Sequence, residues 1–562
     1  MEQAPREVSA IGNSGGSGNE DGSTAIPMES MTSSSGGVNG GVGGGNGGNS
    51  GNGGKVMSHF LLEEDFDSKR RFTNTHKRIF YILTSLAILV TVVLLIVFLL
   101  PRGWKAPKKN INIIMMIGDG MGPAALTMAR VAFHTKGEST SQAHLQLDPF
   151  IVGSVKTYSS NSVVTDSAAA ATAYASGVKT YNNAVGVDEN AKPVGTIIEA
   201  AKKLGMKTGL VVTTRISDAT PACYFAHSAS RHDEGFIIDQ LLEREIDVIL
   251  GGGKQYFSKQ TLQDAVSSKY NYTLVESKQD MEQVESGRIL GLFADYNIPW
   301  EIDRLRDPKL LSTKPSLQEM TIKALDLISQ NSENGFFLMV EGSKIDVAAH
   351  INDAPTQIWE TDAFDQTFKI VREWAENDGN TIVIVTADHE TGGLTLANQM
   401  VIDGNPKYSW SPEKLLAVNK SADVMAELIK GGADPSKIIF ENTGIKLTVD
   451  DLQEIGRTNS TFYLNQVIGR IVSNYADIGF TTGGHTGEDV NLYTFGDKIS
   501  EGKFETRLKD HQTEDIDNYL DPILRGNINN IDIASFIIKT LNLDIQSITK
   551  SLESFNPVAP KP

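Results

Sequence analysis

Residues 113–122 read Ile113-Ile-Met-Met-Ile117-Gly118-Asp119-Gly120-Met121-Gly122. Side chains alternate sides along a strand, so an unbroken apolar run implies a strand covered on both faces. The glycine-spaced turn behind it carries one carboxylate, and glycine lets the backbone fold tightly around it. A buried strand running into a polar turn is the repeating unit of an open α/β sheet, whose sites form beyond the carboxyl ends of the strands.

The same unit recurs along the chain. Residues 209–214 run into Asp218-Ala219-Thr220-Pro221 and on to Arg231, and residues 336–340 run into Glu341, Asp346 and His350. Residues 381–386 run into Asp388-His389-Glu390, and a late glycine turn, Thr482-Gly-Gly-His485-Thr-Gly-Glu488, adds a further histidine. Residues 247–250 are also strand-like, but the Gly251-Gly-Gly-Lys254 that follows lacks the GxxxxGK[ST] pattern and reads as a plain turn. Helical patterns at 195–203, 317–329 and 356–376 separate these runs. The expectation is a three-layer α/β/α fold around a large, mostly parallel central sheet.

Residues 163–177, Val163-Val-Thr-Asp-Ser167 followed by an alanine-rich run to Gly177, read as a helix with a glycine stop. Ser167 falls at its start, where free N–H groups and the helix dipole favour an anion. Taken alone the stretch reads first as a helix cap, since Ser and Asp are both preferred there. Metal chemistry has its own spacing. Asp346 and His350 are four apart and share one helix face. Adjacent Asp388 and His389 can serve a second ion if the turn splays them. Carboxylate and imidazole without thiolate suit zinc, whereas magnesium prefers oxygen ligands.

Composition narrows the function classes. The net charge of −18 argues against nucleic acid as a partner, because a phosphate-binding surface needs a basic patch. The single cysteine, Cys223, excludes an intrachain disulfide and a cysteine zinc cluster. Residues 1–58 are rich in Gly, Ser and Asn and read as a disordered tail. A basic juxtamembrane segment, 59–78, precedes 22 uncharged residues from Ile79 to Leu100. Those would span ~33 Å as a helix, enough for one transmembrane crossing as a signal-anchor. Five basic residues precede the span (Lys69, Arg70, Arg71, Lys77, Arg78) and four follow it (Arg102, Lys105, Lys108, Lys109), which favours a cytosolic N-terminus. The sequons at Asn271, Asn419 and Asn459 all lie after the span.

The ordered set Asp119-Gly-Met-Gly, Thr165-Asp-Ser167-Ala, Asp218-Ala-Thr220-Pro with Arg231, Glu341 with Asp346 and His350, Thr386-Ala-Asp388-His389 and Gly484-His485-Thr-Gly resembles the alkaline phosphatases over about residues 107–500. Tail, single span and catalytic domain in that order resemble the repressible vacuolar members of the family in fungi. The resemblance implies hydrolysis of phosphate monoesters, phosphopeptides among them, through a phosphoserine on Ser167, with Arg231 gripping phosphate. It implies two zinc ions and one magnesium ion per subunit. Asp346, His350 and His485 would hold one zinc. Asp388, His389, Asp119 and the Ser167 oxygen would hold the other. Asp119, Thr220 and Glu341 would hold magnesium. It further implies a homodimer and a single-pass type II protein of the vacuolar membrane with a lumenal catalytic domain, the cell surface being the alternative. The catalytic domain would occupy 107–545, with a surface insertion at about 395–480 and a C-terminal tail at 546–562.

One position departs from the pattern. Val347 follows Asp346 where the bacterial enzymes resembled carry lysine and the animal ones histidine, while Asp218 is retained. Two other readings stand beside the monoesterase: a phosphodiesterase or nucleotide pyrophosphatase, and a catalytically silent membrane glycoprotein. Against the first stands Arg231, against the second the complete ligand set.

Overall fold

The structure, a computed structural model, describes residues 65–99, 110–134, 144–398, 408–458, 460–496 and 524–558. The chain divides into two units, Met1–Trp104 and Lys105–Pro562. In the first, one helix runs Asp65–Leu99, and its segment Thr73–Val92 is long and apolar enough to cross a membrane. The helix thus begins well before Ile79 and takes in most of the basic segment. The expected tail, the cations after the span and the sequon at Asn459 lie outside the described residues.

Among its described residues the second unit carries fourteen strands: β1 Asn112–Ile117, β2 Ile151–Lys156, β3 Lys207–Arg215, β4 Val248–Gly252, β5 Tyr272–Val275, β6 Arg288–Leu292 and β7 Phe336–Glu341, then β8 Thr381–Thr386, β9 Glu390–Thr391, β10 Leu394–Leu396, β11 Ile478–Phe480, β12 His485–Thr486, β13 Val490–Phe495 and β14 Gly526–Asn529. Ten form one sheet in the order β14-β2-β13-β8-β1-β7-β3-β4-β6-β5. Every adjacent pair is parallel except those made by β13, which runs antiparallel to both β2 and β8. Each residue of β1, β4, β7 and β8 is buried, so both faces of the sheet are covered there. This is the three-layer, mostly parallel architecture expected.

The topology places four central neighbours, β8, β1, β7 and β3, side by side with their carboxyl ends at one edge. The polar residues that follow these strands therefore meet, although they are far apart in sequence. Ribbon β10–β11, paired Leu394 to Phe480 and Leu396 to Ile478, closes the base of a long excursion. Helices Pro412–Leu416, Ala422–Lys430, Pro435–Thr443, Val449–Arg457 and Thr461–Tyr475 fill it. They pack Val418, Met425, Ile439, Ile455, Leu464 and Ile468 into a second apolar cluster with Trp300, Ile302, Ala348 and Ile351.

The segment set apart as a C-terminal tail is structured in its described part. Helix Ile545–Ser551 accepts the Gly195 N–H on Thr549 Oγ1 at 2.8 Å, and Pro557 accepts the Ala229 N–H at 2.8 Å. Phe555 adds ring contacts to His227 and Phe236. Apolar residues Ile545, Ile548 and Phe555 spaced along a short polar stretch are the source of this docking.

Candidate active site

Helix Ser167–Ser176 begins as the alanine run dictates, but the cap is Asp166. Its carboxylate accepts the Ala169 N–H at 3.0 Å, which leaves the Ser167 hydroxyl free for another role. Ser167 is buried at the helix start, and its Oγ lies 3.2 Å from His389 Nε2. Gly177 ends the helix at φ +76°.

The loop after β1 brings Asp119 to the same place. Gly120 sits at φ +68°, and a Cβ there would lie 2.7 Å from the Asp346 Cα, so only glycine permits this approach. Its N–H donates to Asp388 Oδ1 at 3.1 Å, joining the ends of β1 and β8.

Two groups of three side chains gather around these turns, with their donor atoms within 4.8 Å of one another in each: Asp346, His350 and His485, and Asp119, Asp388 and His389. In the first, His350 Nδ1 bonds the Gly483 carbonyl at 2.7 Å and His485 Nδ1 bonds the Thr165 carbonyl at 2.8 Å. A carbonyl only accepts, so both rings carry their hydrogen on Nδ1 and aim Nε2 inward. The two Nε2 atoms are 3.2 Å apart, with the Asp346 carboxylate 3.2 Å from one and 3.6 Å from the other. In the second group His389 Nε2 lies 3.1 Å from Asp388 Oδ2 and 3.5 Å from Asp119 Oδ1. The His389 and His485 rings stack with centroids 3.5 Å apart, so the groups are neighbours.

These are cation sites by their own chemistry. Asp119 Oδ1, Asp388 Oδ2, Glu341 Oε2 and Thr220 Oγ1 are buried and have no hydrogen-bond partner among the described residues. Buried acceptors without partners are costly unless a cation meets them. Burial, then the charges of Asp388, Asp346 and Glu341, pushes the Asp119 carboxyl well up. Burial, then Asp218, does the same to Glu341. Burial also works against Asp346, but His350, His485 and His389 outweigh it and hold that carboxyl far below the usual range. His350 is pushed up to about 9 chiefly by Asp346, and His485 down to about 4 by burial and His389.

Arg231 stands beside helix Ser167–Ser176. Its Nη1 is 3.2 Å from Asp166 Oδ2 and its Nη2 is 3.2 Å from Asp218 Oδ1. The sequence-derived candidates Asp119, Ser167, Thr220, Arg231, Glu341, Asp346, His350, Asp388, His389 and His485 thus fall on one edge of the sheet, at the ends of β1, β3, β7 and β8 and on elements packed there. Glu488, from the late glycine turn, stays exposed. Val347 is half-buried against the second apolar cluster, while Asp218 is held by Arg215 and Arg231.

Three contributors had no role assigned from the sequence. Thr391 Oγ1 donates to Asp346 Oδ1 at 2.5 Å and lies 3.1 Å from His389 Nδ1. Glu390 accepts the Gly393 and Leu394 N–H groups and the Thr486 hydroxyl, which fixes β9 against β12 and so His389 near His485. Arg215 bonds Asp218. Of these, only Glu390 and Thr391 carried any signal, their adjacency to His389.

The alkaline phosphatase family model matches residues 109–543. The chain is 34% identical to a repressible alkaline phosphatase of Saccharomyces cerevisiae over 564 aligned residues, covering 89% of this chain and 99% of that one. It is 35% identical to an alkaline phosphatase of Schizosaccharomyces pombe, covering 78% of this chain and 83% of the relative. The crystal structure of a cold-active alkaline phosphatase from Shewanella superposes with a TM-score of 0.66 at 32% identity, over 77% of this chain and all of that one.

Proposed function

Since the chain belongs to the alkaline phosphatase family of hydrolases, we propose that it cleaves phosphate monoesters through a phosphoserine on Ser167. Two zinc ions and one magnesium ion would bind per subunit. Asp346, His350 and His485 would hold one zinc, and Asp388, His389 and Asp119, with Ser167 Oγ, the other. Asp119, Thr220 and Glu341 would hold magnesium. The observation that carries the reading is the placement of Ser167 Oγ 3.2 Å from His389 Nε2, at a helix N-terminus and beside two adjacent ligand groups. When bound, the cations supply Lewis-acid charge that lowers the pKa of the serine hydroxyl and neutralises the leaving and entering oxygens.

The chain's own residues do the rest. The Ser167 oxygen forms a bond to phosphorus as the ester's alcohol departs, and water then displaces serine to release inorganic phosphate. The helix dipole behind Ser167 favours the anion at both stages. Arg231, held by two carboxylates, presents its remaining N–H groups to phosphate oxygens in a planar fork. The Nδ1–H bonds of His350 and His485 to carbonyls fix both rings and aim their Nε2 atoms inward.

The substrates would be small monoesters and phosphopeptides. Helix Asp65–Leu99 would anchor the protein as a single-pass type II membrane protein. The charge bias and the exposure of Asn271 and Asn419 support a lumenal catalytic domain that is glycosylated. The layout supports a vacuolar membrane, with the cell surface as the alternative, and the family supports a homodimer. The test is hydrolysis of an aryl phosphate. Activity should vanish on chelation and return fully only with zinc and magnesium together. Full activity in protein shown to be metal-free would refute the reading.

A further inference from the structure

Asp218 lies between two guanidinium groups. Its Oδ1 is 3.2 Å from Arg231 Nη2, and its Oδ2 is 3.0 Å from Arg215 Nη1. Arg215 is itself fixed: its Nε is 2.8 Å from Glu234 Oε2, and its guanidinium carbon lies 5.0 Å from the Tyr296 ring centroid. Glu234 is braced in turn by the Ser217 hydroxyl. Charges therefore alternate in one line, Glu234, Arg215, Asp218, Arg231, Asp166. Arg215, Asp218 and Arg231 are all at least three-quarters buried, so solvent screens these contacts only in part.

We propose that Arg215 is a positioning residue for phosphate, acting through Asp218 on Arg231; this rests on the reading of Arg231 as the group that grips phosphate. A carboxylate facing a single guanidinium takes it bidentately when it can, using two N–H groups. Arg215 occupies Oδ2, so Asp218 meets Arg231 through Oδ1 alone and leaves the other N–H groups of that fork for the substrate. Without Arg215 the line holds one cation against three carboxylates, and Asp218 competes with phosphate for Arg231.

The test uses inorganic phosphate as a competitive inhibitor of aryl phosphate hydrolysis by the full chain, with metal content and thermal midpoint checked for each variant. Arg215→Met keeps the aliphatic stem and removes the charge, and should raise the inhibition constant about tenfold. Arg215→Lys keeps the charge but cannot reach Glu234 and Asp218 at once, and should give about a threefold rise. In an Arg231→Ala background, Arg215→Met should change the constant less than about twofold, because the group it acts through is gone. An unchanged constant in folded, metal-replete Arg215→Met, where Arg231→Ala alone weakens inhibition, overturns the proposal. Full additivity in the double variant overturns it too, since a structural or direct role would persist without Arg231. Should Arg215→Met fail to fold, an unchanged constant in Arg215→Lys has the same force. If Arg231→Ala itself leaves phosphate inhibition unchanged, the reading of Arg231 falls instead.

Discussion

Thr391 gives its hydroxyl hydrogen to Asp346 Oδ1 at 2.5 Å while its oxygen stands 3.1 Å from His389 Nδ1. One hydroxyl thus links a carboxylate of one ligand group to an imidazole of the other. With its hydrogen committed to Asp346, the Thr391 oxygen accepts from His389 Nδ1–H, which sets the ring so that Nε2 faces Asp388, Asp119 and Ser167. Thr391→Val keeps the shape and removes both bonds. Partners that orient metal ligands are worth about 10- to 100-fold in metal affinity, so zinc should leave this variant at least tenfold faster. The rate of zinc transfer to a chromogenic chelator measures this. A wild-type rate would mean that Thr391 is only a packing residue.

The titration behaviour of the site predicts how the metal-free protein responds to alkali. His350 has its pKa raised in the fold, to about 9, so its contribution is complete below the unfolded value near 6.5 and is lost as pH rises through 9. Asp119 and Glu341 are also raised, and charging them in the fold costs stability as pH increases. All three act in the same direction. His485, lowered to about 4, is neutral above pH 7 in both states and adds nothing there. The thermal midpoint of metal-free protein should therefore fall between pH 7 and 9.5, while the increment on adding zinc and magnesium grows. Calorimetry at both pH values checks this, and an increment that shrinks with pH would contradict it.

Asp166 holds the helix cap with Oδ1 and Arg231 with Oδ2. Asp166→Ala should cost about 1–2 kcal/mol of stability from the cap alone. Asp166→Asn, an equally good cap, should recover most of it. Chemical denaturation of the metal-loaded protein compares the two. Equal losses would show that the ion pair to Arg231, not the cap, carries the stability.

His485→Ala removes one of three side chains from one ligand group and leaves the other group whole. Zinc content after dialysis should drop from about two to about one per subunit, the single retained ion being the one nearest Ser167. Retention of both would make His485 a structural histidine.

The central strands were legible because β1, β7 and β8 are unbroken apolar runs, and a run of that kind has few other uses. Strand β13, Val490–Phe495, mixes Asn and Thr among its apolar residues, and β14, Gly526–Asn529, has a single apolar residue. Neither stood out, and with β13 went the antiparallel pairings of the sheet. The candidate ligand groups were legible because histidine and aspartate close behind buried strands are unusual and fell at metal spacings. Thr391 and Asp346, by contrast, are 45 residues apart, and Arg215 ends a strand that reads the same with or without it. Their roles arise where the folded chain brings segments together, which residue type does not announce. Val347 shows the converse: a departure from a familiar pattern drew attention to the pocket, whereas the side chain packs on the helical excursion.

The central claim is that Ser167 carries the phosphoryl group. Metal-replete protein should be incubated with labelled inorganic phosphate at acid pH, quenched, digested and mapped by mass spectrometry. Label is expected on Ser167 and none in Ser167→Ala. Label on any other residue, or a fully active enzyme that never becomes labelled, would contradict it.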